Sequence, residues 1–275
     1  MSIKFYKPMS PGIRFRIGLE LYDLSSEKPI KLLLIKLINH SGRNNRGVIT
    51  VQGRKGSDRR YRLIEFRRDR LSRQAAQIKT VEYDPNRSAN IALLYYLGQD
   101  LTCYIICPQS LIPGLSVFAG PRVSIKVGNA IPLKFVPNGS LIHNIELYTG
   151  RGSQLVRSAG TYVNLIFKEG RFVIIKLPSK ELRLVSHNCY ATLGQVSNID
   201  WISQNRGKAG RTYWFGKRSI IRGLAKNPID HPHGGGEGRS PIGKPRPVTP
   251  WGRPALGSKT RKSKTLSNKY VLRRI

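Results

Sequence analysis

The chain is short of acid. Fifteen Asp and Glu stand against 48 Lys and Arg in 275 residues, a formal net charge of +33 and a pI near 10.8. Charge of one sign on this scale repels itself in a compact state and exceeds what solubility requires, so it points to a polyanionic partner. Cysteine is also scarce. Cys103, Cys107 and Cys189 form an odd set with no metal-type spacing, which predicts reduced core thiols in a reducing compartment. No run of about 20 apolar residues exists, since Leu32 to Leu37 is interrupted by Lys36 and Tyr104 to Cys107 has strand length; a membrane-spanning helix is excluded. The opening Met1-Ser2-Ile3-Lys4-Phe5-Tyr6-Lys7-Pro8 has neither a signal-peptide core nor a Ser/Arg-rich leader. The expectation is a protein that works in the compartment where it is made, with no membrane partner.

What the chain does contain is β-type sequence in two blocks. Residues 1–34 read as an N-terminal extension broken by Pro8, Pro11 and Pro29. Within 35–125, short runs at Gly47–Val51, Arg60–Phe66, Ala76–Tyr83, Ala89–Tyr96 and Thr102–Ile106 alternate with turn clusters such as Asp84-Pro85-Asn86-Arg87 and Gly98-Gln99-Asp100. Five short strands at this spacing suit a small oligonucleotide-binding barrel. A second β unit over 126–198 predicts strands at Leu141–Glu146, Thr161–Phe167, Phe172–Leu177 and Glu181–Val185, with turns at Glu169-Gly170 and Pro178-Ser179. His143 and His187 fall in predicted strands and read as structural.

Charge is not uniform. Residues 128–198 of the second β unit carry eight Lys and Arg against three acids, whereas residues 203–275 carry 18 against two. The middle reads as scaffold and residues 199–275 as a basic C-terminal extension that cannot bury enough apolar area to order alone. In it lies Asp230-His231-Pro232-His233-Gly234-Gly235-Gly236-Glu237-Gly238-Arg239. Three bare glycines permit φ > 0 and a close backbone approach to phosphate, where any Cβ would intrude. Trp214 and Trp251 suit stacking on bases or sugars, or capping of a barrel edge. Lys259, Arg261, Lys262 and Lys264 would add sequence-independent phosphate affinity.

Two other chemistries deserve comparison. His231, His233 and Glu237 are zinc-ligand types, but i and i+2 across a proline, without a third nearby ligand, poorly suit one tetrahedral ion. No metal site, cofactor or catalytic residue is assigned, and Mg²⁺ enters only as an ion associated with RNA. A histone-like DNA compactor also suits +33, yet would not need two β modules and one fixed glycine loop.

The block Asn227–Arg239, followed by Pro247-Val248-Thr249-Pro250-Trp251-Gly252, resembles the L-two family of large-subunit ribosomal proteins. So do Gly42–Gly47, Glu82–Leu93, His143–Glu146, Arg157–Tyr162 and Ala191–Asn198, in family order. The resemblance implies an all-β chain: an oligonucleotide-binding barrel, an SH3-like barrel, and both termini extended into ribosomal RNA. It implies no enzyme, because peptide-bond chemistry belongs to the RNA. It implies binding to large-subunit RNA near the peptidyl-transferase region, contact with other large-subunit proteins, and help in subunit association through a bridge to the small subunit. The family's loop histidine, whose substitution is associated with loss of peptidyl transfer, maps onto His231; with Asp230 it is expected to position or assemble, not to act as a base.

The expected RNA-binding residues are Arg43, Asn44, Asn45, Arg46, Arg54, Lys55, Arg59, Arg60, Arg87, Arg157, Lys208, Arg211, Lys217, Arg218 and Arg222, then His231, His233, Gly234, Gly235, Gly236, Arg239, Trp251, Lys259, Arg261 and Lys262. One departure stands out. Where the family has a Gly-Gly-Gly-His-Lys-like turn, this chain reads Gln52-Gly53-Arg54-Lys55-Gly56-Ser57-Asp58-Arg59-Arg60-Tyr61, so contact there is expected from the cations. Pro241-Ile242-Gly243, Pro254–Gly257 and Lys259–Lys262 resemble plastid members. An organelle, the plastid stroma before the mitochondrion, is the expected location, and a bacterial cytoplasm stays open.

Overall fold

The computed structural model describes residues 3–38, 40–49, 59–71, 74–238, 240–262 and 264–273. Contacts divide the chain into two compact units, one within 1–38, 58–211 and 269–275, the other within 39–57 and 212–268.

The first unit opens with an antiparallel hairpin of β1 (Ile3–Phe5) and β2 (Ile17–Leu19), joined through a four-residue helix α1 (Pro11–Arg14). The expected extension is therefore locally folded. An antiparallel ribbon follows, β3 (Leu34–Leu37) with β4 (Arg59–Arg62). A four-stranded sheet comes next: β5 (Ala76–Glu82), β6 (Ile91–Tyr96), β7 (Leu101–Ile106) and β8 (Ser116–Val117), in the order β7-β6-β5-β8. A parallel bridge between Ile64 and Tyr104 curls ribbon and sheet into an open half-barrel. β6 is buried almost throughout because it is covered on both faces: Ala92, Leu94 and Tyr96 pack with Ile78 and Ile105 on one side, Ile91 and Leu93 with Tyr104 on the other. Each of the buried Ile and Leu side chains contributes roughly 1.5–3 kcal/mol of transfer free energy. The run Gly47–Val51 falls partly outside the described residues, and Ile49 makes only an isolated bridge to Arg43.

The second β unit contains β9 (Ala130–Pro132), β10 (Leu141–His143), β11 (Ile145–Glu146), β12 (Ser153–Leu155), β13 (Val163–Glu169), β14 (Phe172–Lys176), β15 (Leu182–Ser186) and β16 (Tyr190–Leu193). β11 pairs with β12, and the others form one antiparallel sheet around Ile131, Leu133, Ile142, Ile145, Leu165 and Ile175. The predicted strand 141–146 is two strands, because Asn144 adopts φ 53° and breaks the ladder. His143 is fully buried in β10, but His187 lies in the turn after β15 rather than in a strand.

The C-terminus differs from a free arm. After a short helix α2 (Ala209–Trp214), the chain ends in β17 (Val271–Arg273), which pairs with the β15 edge while Tyr270 sits against Phe172 at 6.1 Å between ring centroids. Both ends of the basic extension are thus fixed to structure. All three cysteines are free and buried, as expected of core thiols.

Candidate nucleic-acid interface

The two β modules meet at a polar seam. Asp84, completely buried, accepts a short bond from Arg87 Nε (2.6 Å) and lies 3.6 Å from Arg62; the Asn86 amide also donates to it at 2.9 Å. A buried carboxylate needs such partners to offset its desolvation. Arg59 donates to the Pro85 carbonyl at 2.8 Å, and the Asn86 side chain donates to the Arg60 carbonyl at 2.7 Å. Next to them the Ala159 amide donates to Ser88 Oγ at 3.1 Å, and Asn198 Nδ2 to the Ser88 carbonyl at 2.7 Å. Segments 59–62, 84–88 and 157–159 are thereby tied together. Four expected RNA-binding residues, Arg59, Arg60, Arg87 and Arg157, share this seam. Arg60 and Arg157 are exposed; Arg157 lies over the Phe66 ring at 4.7 Å, and Arg87 over Tyr61 at 5.5 Å.

In the second unit, the turn 43–49 is shaped by Asn44. Its Oδ1 accepts the Arg46 and Val48 amides, both at 2.9 Å, while Arg43 donates to the Gly47 carbonyl at 3.0 Å. Asn45 and Arg46 stand exposed at the tip. Arg54, Lys55 and Arg239 lie outside the described residues.

The histidine–glycine loop is held by its own atoms. The His231 and Asp230 amides donate to the Asn227 carbonyl, Gly235 N–H to the Lys226 carbonyl, and Gly234 N–H to the His231 carbonyl at 2.8 Å. His231 Nδ1 accepts the His233 amide at 3.0 Å, and His233 Nε2 accepts the Val248 amide at 2.9 Å. A backbone N–H can only donate, so both acceptor nitrogens are unprotonated and the tautomers follow. The two rings lie 4.7 Å apart, and His231 is buried. Burial first, then the neighbouring His233 and Lys226, hold the His231 pKa below the ordinary histidine value.

The glycines have an internal reason to be bare. A Cβ on Gly234 would stand 2.7 Å from the Lys226 carbonyl oxygen and closer still to that of Asn227. On Gly236 it would meet Ser240 Cβ at 2.8 Å, and on Gly235, at φ +92°, the Pro228 ring at 3.0 Å. Gly223 would run into the His231 ring, 2.9 Å from Cγ. The triple glycine, expected from the sequence to face phosphate, is first required to be bare for the loop to close.

The remaining expected residues are dispersed. Lys208, Lys217, Arg222, Asp230, Lys259 and Lys262 are exposed. Arg211 begins the last turn of α2, and Arg218 lies face-on over Tyr213 at 3.6 Å. Arg261 is drawn into a local brace, donating to Asn268 Oδ1 at 2.7 Å and Ser267 Oγ at 2.8 Å. Trp214 and Trp251 are 67% and 74% exposed.

A cleft of about 400 Å³ bounded by Leu24, Val81, Cys107, Leu111, Ile112 and Asn198 has no Lys or Arg in its wall and includes Asp23. It is poorly suited to phosphate. Burial pushes the Cys107 thiol up to about 12, so it is protonated and unfit as a nucleophile at neutral pH. Among the described residues no group of three or more His, Cys, Asp or Glu could hold a metal ion.

Sequence reasoning missed two kinds of residue. Glu82, Asp84 and Glu146 are buried braces: Glu82 binds the Tyr104 and Thr80 hydroxyls, and Glu146 accepts the Gly152 and Tyr190 amides at 2.9 and 3.0 Å. Placement beside turn glycines was the available signal for Glu146. The cations of the β1–β2 hairpin were also overlooked, although Ile3-Lys4-Phe5 and Ile17-Gly18-Leu19 flanking a Pro-rich turn have hairpin form.

Two family models match the chain: Ribosomal Proteins L2, RNA binding N-terminal domain, over residues 30–119, and Ribosomal Proteins L2, C-terminal domain, over residues 126–252. Together they cover most of its length.

Proposed function

We infer a specific placement for this chain, which belongs to the ribosomal protein L2 family and is a structural, RNA-binding constituent of the large ribosomal subunit. It binds large-subunit RNA near the peptidyl-transferase region, supports assembly there, and helps the small subunit associate through an intersubunit bridge. The arginine seam and the exposed cations of the C-terminal extension neutralise phosphates, and the histidine–glycine loop fits by shape. Mg²⁺ takes part only as an ion held by the RNA. A plastid ribosome is the proposed setting, on the resemblance of 241–243 and 254–262 to plastid members.

The observation that carries this reading is the loop's double histidine relay. His231 and His233 each use a ring nitrogen to accept a backbone amide, which joins the glycine loop to the Pro247–Gly252 turn. His231 Nδ1 is therefore engaged as an acceptor and is not available as a base. Its role is to fix a shape that RNA can pack against. The test is incorporation of His231→Ala and His231→Asn chains into large subunits, followed by sedimentation through a high-salt sucrose gradient and a peptidyl-transfer assay. The Asn carbonyl can replace the Nδ1 acceptor, so Asn is expected to recover more incorporation than Ala, with transfer activity tracking incorporation. Full incorporation of both variants with activity abolished would overturn the positioning role. Migration of wild type outside the large-subunit peak would overturn the placement.

A further inference from the structure

The cleft bounded by Leu24, Val81, Leu111 and Ile112 takes no part in phosphate binding, since none of the chain's 48 Lys and Arg stands in its wall. Three stretches far apart in sequence meet there. Ser25 N–H donates to the Val81 carbonyl at 2.8 Å, which lays the N-terminal extension along β5. Cys107 N–H donates to the Asn90 carbonyl at 3.0 Å, and Ser197 N–H to the Cys107 carbonyl at 3.0 Å, which joins the end of β7 to the end of the second β unit. Leu24 and Leu111 pack against the core of the four-stranded sheet, so the cleft has an apolar base held by buried neighbours.

The polar groups in this wall are few and unpaired. Gln109 N–H donates to the Gln195 carbonyl at 2.7 Å, and the chain then turns at Ser110, where φ is 69°. The backbone N–H groups of Ser110, Leu111 and Ile112 meet no acceptor among the described residues. On the opposite wall Asn198, only 6% exposed, gives Nδ2 to the Ser88 carbonyl at 2.7 Å. That bond fixes which way the amide faces and leaves Oδ1 without a partner. Asp23 and Asn90 already have partners within the fold, so recognition falls to the loop amides and to Asn198.

We propose that this cleft binds a small, uncharged organic molecule carrying a secondary amide on an apolar body. The body lies against Leu24, Val81, Leu111 and Ile112, the ligand carbonyl accepts from the loop amides, and the ligand N–H donates to Asn198 Oδ1. A cavity of about 400 Å³ with apolar walls and a few convergent polar groups, set where modules join, has the form of a small-ligand site. Unpaired donors on one side and an unpaired acceptor on the other are what a secondary amide satisfies together. Charge narrows the class further. An anion entering the cleft finds no cation and meets the exposed Asp23, although the chain as a whole attracts anions.

The inference does not depend on RNA, and its test uses the full-length, RNA-free protein labelled with nitrogen-15. Titration with N-benzylacetamide is expected to shift the Ser110, Leu111 and Ile112 amides saturably, with a Kd on the order of 1 mM for a ligand of this size. Benzoate shares the ring but brings an unpaired charge, so it should bind at these amides about tenfold more weakly. Nonspecific attraction to a chain of +33 would rank benzoate first. N-benzyl-N-methylacetamide lacks the N–H for Asn198 and should bind about fivefold more weakly than N-benzylacetamide. Ile112→Asn removes part of the apolar wall at a position 65% exposed, where folding is not at stake, and should also weaken binding about fivefold. The proposal is overturned if N-benzylacetamide leaves the 110–112 amides unmoved, if benzoate matches it there, or if either N-methylation or Ile112→Asn leaves the affinity unchanged. RNA binding by the chain would stand in each of those cases.

Discussion

Gly234→Ala isolates the internal role of the glycine loop. Gly234 does not sit at positive φ, so alanine meets no backbone penalty there; its cost is steric. The new Cβ would overlap the Asn227 carbonyl and stand 2.7 Å from the Lys226 carbonyl oxygen. Both oxygens are occupied: Asn227 accepts the Asp230 and His231 amides, and Lys226 accepts Gly235 N–H. Relief requires displacing backbone rather than swinging a side chain, which costs about 1–3 kcal/mol for overpacking. Each hydrogen bond lengthened in the process adds about 1 kcal/mol. A total near 3 kcal/mol corresponds to roughly a hundredfold greater opening of the loop. Hydrogen exchange on the free, full-length protein reads this directly at the His231, Gly235 and Val248 amides. Gly243→Ala is the matched contrast: φ there is +66° with open space around it, so the cost is conformational, about 1–2 kcal/mol, and local to residue 243. Equal exchange at the Gly235 amide in Gly234→Ala and wild type would refute the claim that the loop packs against itself.

Other outcomes follow from buried groups and from the chain's end. His143 Nδ1 donates to the Gly194 carbonyl at 2.8 Å, and burial pushes its pKa down to about 4. The folded state therefore refuses a proton that the unfolded chain accepts at about 6.5, so stability is full above that pH and falls between it and 4, by roughly 3 kcal/mol. Urea midpoints of wild type and His143→Gln over this window would show it, and identical pH profiles would count against it. Asp84→Ala strands Arg62 and Arg87 at the seam and should cost about 3 kcal/mol of denaturant stability; a change under about 0.5 kcal/mol would mean that the buried carboxylate is not needed. Removing residues 269–275 strips β17 from the β15 edge and Tyr270 from Phe172, so the truncated protein should self-associate in sedimentation velocity. A truncated chain that stays monomeric with unchanged stability would show that β17 does not protect that edge.

How much of this was legible depended on whether local pattern and tertiary demand agreed. β5, β6 and β7 were readable because Ala76–Glu82, Ile91–Tyr96 and Leu101–Ile106 are long, apolar and bounded by Asp-Pro and Gly turns. β8, β9 and β12 have two or three residues each, too few for a period to register, and exist because neighbouring strands need partners. The break at Asn144 needed knowledge of a positive φ, which Asn tolerates without announcing it. β17 was missed because Val271-Leu272-Arg273 sits in a strongly basic context that reads as arm. The location of the histidine–glycine loop was plain in the sequence, but its direction was not. Bare backbone looks the same whether the space left by Cβ is filled by a ligand or by the chain itself, and only the positions of Asn227, Pro228 and Ser240 distinguish the two.

The scarcity of acid has a further consequence for the isolated protein. Glu82, Asp84 and Glu146, three of only 15 acidic residues, are buried and bound by hydroxyls, amides and arginines inside the β modules. They do little to balance the surface, which is therefore more one-sidedly cationic than the composition states. Without RNA, folding must bring those cations together, so self-repulsion opposes the compact state. Salt then acts in two opposite directions on one molecule. It weakens RNA binding by reducing the gain from counterion release, yet it should stabilise the free fold by shortening the screening length from about 10 Å at 0.1 M to about 3 Å at 1 M. Relief of about 1–2 kcal/mol would raise the thermal midpoint of the RNA-free chain by roughly 2–8 °C between dilute and molar potassium chloride. Chloride is the right salt, because sulfate would also strengthen apolar burial. A midpoint that is flat or falls with chloride would mean that the cations are already spaced widely enough in the free protein to ignore one another, and that the fold does not depend on its polyanion for charge relief.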